Sequence, residues 1–144
     1  MTMFNPSREQ VRQFFFESWR KYRQAEQLSA LEGMALQVML AHPEYHAVLN
    51  DPENYLEQEY FPEMGETNPF LHMSLHLSVL EQLSIDQPLG IVAAYRQLVD
   101  RWGEHPAQHV VLDCLAETVW QAQRDGILPD GAAYLQRLQQ AAKT

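Results

Sequence analysis

Apolar residues recur at helical spacing through most of the chain. Between residues 6 and 25, Val11, Phe14, Phe15, Trp19 and Tyr22 fall on one helical face. Arg12, Arg20, Arg23 and Glu17 sit mostly off that face, and Phe16 also leaves the stripe, which suits a contact with an end element or a partner chain. No run alternates apolar and polar residues between turn signals, so strands are not expected.

Helix starts punctuate the sequence. Asn5-Pro6, Asp51-Pro52 and Asn68-Pro69 each pair a capping side chain with a proline suited to the first helical position. Ser29-Ala30-Leu31-Glu32 has the capping-box pattern. His42-Pro43 and His105-Pro106 also read as helix starts, because a residue before proline is pushed out of the α region. Gly103 and Gly126 read as stops. The pattern predicts helices over 6–25, 30–41, 69–84, 88–102, 106–125 and 130–142, with short helices over 43–50 and 52–60. The expected class is all-α: an antiparallel bundle of about six helices, four of them long core helices, forming a single domain over residues 1–144.

Charge and composition narrow the function. The 144 residues carry 10 basic and 19 acidic side chains, a formal charge of -9. That balance argues against nucleic acid and against an anionic membrane surface as partners. One cysteine excludes an intramolecular disulfide and a zinc site built on several thiolates. With no secretory pattern and no run of about 20 apolar residues, a cytoplasmic location is expected.

The six histidines carry the candidate chemistry. They form three pairs, His42/His46, His72/His76 and His105/His109, each four residues apart. Random placement would give about 0.2 such pairs, a crude calibration of the signal. Residues four apart share a helical face, the spacing with which two imidazoles approach one metal ion or two adjacent ions. His72 and His76 share the core-facing side of their helix with Met73, Val79, Leu80 and Leu83 and are the expected anchors. Buried imidazoles need partners, which are core carbonyls and carboxylates or a shared metal ion.

His46 and His109 come next as ligands. His42 and His105 sit at expected helix starts, where capping competes with ligation. His109, Asp113 and Glu117 form a ladder on one helix, nearly opposite the apolar face of Val111, Cys114, Leu115, Thr118 and Val119; a solvated polar face explains that ladder equally well. Glu32 points inward with Ala35, Leu36, Met39 and Leu40, and is a bridging ligand or the reaching-back member of the capping box. Cys114 reads as a buried structural thiol.

The His-x-x-x-His spacing resembles hemerythrin-like sites and the histidine sites of DinB-like bundles. The hemerythrin-like His-x-x-x-Glu helix is missing, and the first helix offers no histidine. The Glu-x-x-His motif of ferritin-like sites is also absent. The segments LAHPEYHAVL, GETNPFLHMSLHLSVLEQLSIDQPLG and HVVLDCLAETVWQAQRDG resemble, over nearly the whole chain, an uncharacterised bacterial family, the domain of unknown function numbered 1841. That resemblance implies a small single cytoplasmic domain and brings no activity.

The expected function is binding of one or two transition-metal ions by inward-facing histidines and carboxylates. Iron is favoured by analogy with di-iron bundles, with zinc and manganese as alternatives. Iron implies oxygen or peroxide chemistry, or sensing; zinc implies hydrolysis. A haem held by His76 and His109 ranks lower. The competing reading is a non-catalytic interaction module. It would present Phe14 to Phe16, Trp102, Trp120 and the acidic residues Glu57, Glu59, Glu63 and Glu66 to a basic partner or to a second copy in a homodimer.

Overall fold

The computed structural model describes residues 7–61 and 64–143. Among them are eight α-helices and no strand. The class is all-α, as expected. The chain divides into two compact units, one up to Leu77 and one from Ser78.

In the first unit, α1 (Arg8–Arg23) opens with a capping box. The Gln10 N–H donates to Ser7 Oγ at 3.2 Å, and the Ser7 N–H donates back to Gln10 Oε1 at 2.9 Å. The expected Asn5-Pro6 start lies outside the described residues. α2 (Ala30–Leu40) opens with the expected box at Ser29 and Glu32. The two helices pack together around Phe15, Phe16, Trp19, Ala35, Val38 and Met39, all buried.

The face of α1 differs from the expected stripe. Phe16 is buried edge-on against Phe70, with ring centroids 5.4 Å apart, while Tyr22 is exposed. Arg12, expected off the apolar face, is 1 % exposed. Its Nη1 donates to the carbonyls of Tyr55, Leu56 and Gln58 at 3.1, 3.0 and 2.7 Å. A long arginine stem packs as an apolar group, and carbonyls at a helix end need donors. This also accounts for α4 (Pro52–Tyr55) stopping short of residue 60. Arg12 takes carbonyls that a longer helix would use itself.

The expected helix over 43–50 is a 3-10 turn at Pro43–Tyr45 followed by α3 (His46–Leu49). α5 (Pro69–Ile85) begins at the expected place. Asn68 Oδ1 accepts from the N–H groups of Phe70 and Leu71 at 3.0 and 3.2 Å. α5 runs across the division at residue 77, so its first half belongs to the first unit.

In the second unit, α6 (Ile91–Trp102), α7 (Glu104–Asp125) and α8 (Gly131–Lys143) each pack on the other two. Their core is Ile91, Ala94, Leu98, Val111, Leu115 and Leu138. α6 begins three residues later than expected. Asp86 Oδ1 accepts from the N–H groups of Gly90 and Val92, and Gly90 has φ 101°, so 86–90 is held as a turn. α7 begins before Pro106, correcting the expected start at His105. The first N–H groups of a helix have no partner within it, so a proline in the first turn removes no bond. Gly126 closes α7 in the left-handed conformation, φ 67°.

Candidate metal centre

His42 stands at the entry to the 3-10 turn, where Pro43 fixes the chain direction. It is 4 % exposed. His72 and His76 project from successive turns of α5; His76 is 1 % exposed and His72 half-buried. The three imidazoles gather in the first unit. His76 Nδ1 donates to His42 Nε2 at 3.2 Å. The rings of His42 and His72 are 4.6 Å apart and nearly perpendicular, and each offers a nitrogen within 4.8 Å of the other's. Tyr45 stacks on His42 at 5.2 Å, and burial raises the pKa of its hydroxyl.

Glu44 sets the chemistry of His42. Its Oε2 lies 3.0 Å from His42 Nδ1. A carboxylate oxygen only accepts, so Nδ1 carries the proton. Nε2 of the neutral ring then holds its lone pair on the side that faces His76. The bond from His42 holds the Glu44 carboxyl below the ordinary carboxylate range. A histidine whose far nitrogen is tied to a carboxylate is the usual arrangement of a metal-ligating imidazole. Glu44 was missed by sequence reasoning. Its signal is the His-Pro-Glu run at 42–44, which turns the carboxylate back onto the ring.

The other sequence candidates sit elsewhere. His46 donates from Nε2 to the Met39 carbonyl at 2.7 Å and lies against Trp19, with centroids 4.6 Å apart. Its Nε2 is therefore occupied by a backbone bond, and His42 takes the place expected for it beside α5. Glu32 serves the capping box, and its carboxylate also accepts from Lys21 Nζ at 3.0 Å. The Ser29 backbone bond, then Lys21, lower its pKa.

In the second unit, His105 is exposed within the first turn of α7, correcting its expected role as a cap. His109 Nδ1 donates to the His105 carbonyl at 3.1 Å, which leaves the lone pair of the neutral ring on Nε2. Asp113 and Glu117 are exposed, and Glu117 faces Arg137 at 3.9 Å. Cys114 is a half-buried free thiol whose pKa burial raises. Of the expected interaction surface, Phe15 and Phe16 are buried, Trp102 and Trp120 are exposed, and Glu63 lies outside the described residues.

Fold and site define an all-α protein whose first unit gathers the imidazoles of His42, His72 and His76. Residues 7–140 match the family described as "Domain of unknown function (DUF1841)", and the chain belongs to that family. No curated protein matches the chain. No solved structure matches it either. No helix among the described residues is long and apolar enough to cross a membrane.

Proposed function

We propose that this protein binds a transition-metal ion through neutral imidazoles, with His42, His72 and His76 as the ligands of the first unit. The supporting observation is the Glu44–His42–His76 chain. Glu44 holds the His42 proton at Nδ1 and directs the Nε2 lone pair inward. Two metal–nitrogen bonds of about 2.0–2.1 Å at a tetrahedral angle place their nitrogens about 3.3 Å apart. The His42 Nε2 to His76 Nδ1 separation is 3.2 Å, spanned by a hydrogen bond whose proton a metal ion would displace.

His109 enters the proposal from its spacing with His105 and from its Nε2 tautomer, and is tested by its own variant. Glu32 and Glu117 have other partners and Asp113 is exposed, so nitrogen dominates the proposed ligand set. That set suits zinc, copper, nickel and iron. Iron, the sequence expectation, brings oxygen or peroxide chemistry when bound, and zinc brings Lewis-acid chemistry. The chain's own part is to orient the imidazoles and shield them from water with Tyr45. A cytoplasmic setting accords with nitrogen ligation and a free thiol.

Cobalt(II) is a suitable probe because its visible bands report coordination geometry. The account expects a saturable band in the wild-type protein, lost in H42A/H72A and retained in H105A. A band of unchanged intensity in H42A/H72A refutes the assignment. Loss of intensity in H109A adds that residue to the ligand set.

A further inference from the structure

Arg12 has a second feature that its role at the end of α4 does not explain. All three of its carbonyl bonds leave from Nη1. Its Nε is wholly buried and has no hydrogen-bond partner. No carboxylate among the described residues pairs with it. The guanidinium face is covered by Phe70 at 4.7 Å and by Tyr60 at 5.6 Å, and the Nε–Nη2 edge takes no part in the carbonyl bonds. Burial, and then the charge of Arg8, lower its pKa, so the site already disfavours the cation. A buried charge without a countercharge is costly, and an anion at that edge offsets the cost.

A cleft of about 160 Å³ lies against this residue. Arg8, Arg12, Asn68 and Ser74 give it polar groups; Val11 and Phe70 give it apolar walls. Asn68 uses its Oδ1 to cap α5, so its amide nitrogen is the donor it presents. The Nε and Nη2 hydrogens of a guanidinium form a planar fork that matches the two oxygens of a carboxylate.

We propose that the Nε–Nη2 edge of Arg12, with Arg8, Asn68 and Ser74, binds the carboxylate of a small organic acid whose apolar body lies against Val11 and Phe70. This site is independent of the metal reading, since it uses none of the histidines. Arg12 supplies the two-point contact, and Arg8, at the exposed mouth, adds charge.

The test is calorimetric titration of the full chain with sodium benzoate at constant ionic strength, beside parallel titrations with sodium phosphate. The expected result is saturable benzoate binding, weakened about tenfold in R8Q and lost in R12K, which keeps the charge but not the fork. R8Q removes an exposed side chain, so it reads the site even where R12K fails to fold. Absence of saturable benzoate binding overturns the proposal, as does equal affinity in R8Q. Phosphate binding more tightly than benzoate overturns the carboxylate assignment.

Discussion

Removing Glu44 isolates the feature on which the metal reading rests. In Glu44→Ala the Nδ1 proton of His42 loses its acceptor, so the ring loses both its fixed tautomer and its orientation. Partners of this kind contribute about 10–100-fold to metal affinity. The Glu44 side chain is 59 % exposed, so solvent screens its charge and the effect falls at the low end. The expected loss is about tenfold, or about 1.4 kcal/mol. Glu44→Gln retains an oxygen acceptor without the charge and should lose only about threefold.

Competition for zinc against a chromophoric chelator measures both variants. The pH dependence has a definite sign. Glu44 is held below the ordinary carboxylate range, so its contribution is full above that range and fades as pH falls through its depressed value. Zinc affinity unchanged in Glu44→Ala, but reduced in a His42→Ala control, would refute the reasoning.

Three further outcomes concern the scaffold. Ser29→Ala removes one half of the α2 capping box and should cost about 1 kcal/mol in urea unfolding, with cobalt binding unchanged. Leu98→Ala, at a fully buried position of α6, should cost about 2–5 kcal/mol by the same assay; a loss under 1 kcal/mol would contradict the described core. Gly126→Ala meets no neighbour within 4 Å, so its cost is the left-handed backbone alone, about 1 kcal/mol in thermal unfolding.

Much of the fold was legible because caps and periodicity are local. Ser29 with Glu32, and Asn68 with Pro69, placed the starts of α2 and α5 within a residue. Arg12 was illegible for the opposite reason. A periodicity argument counts arginine as solvent-facing, and only the carbonyls of Tyr55, Leu56 and Gln58, more than forty residues away, make its burial favourable. The centre was partly legible. The inward face of α5 follows from spacing, so His76 was correctly placed in the interior. The choice of His42 over His46 follows from the 3-10 turn, which spacing alone does not reveal; an ideal helix would have set both on one face. Glu32 shows the same limit, since Lys21, eleven residues earlier, claims a carboxylate that the sequence offered as a ligand.

Metal content by mass spectrometry tests the central claim most directly, on wild-type and His42→Ala/His72→Ala proteins purified without chelators and in parallel. The account predicts about one transition-metal ion per chain in the wild type and a large loss in the variant, with unchanged helicity by circular dichroism. Trace metal in the wild type that does not rise on reconstitution, or equal metal in the two proteins, would contradict it.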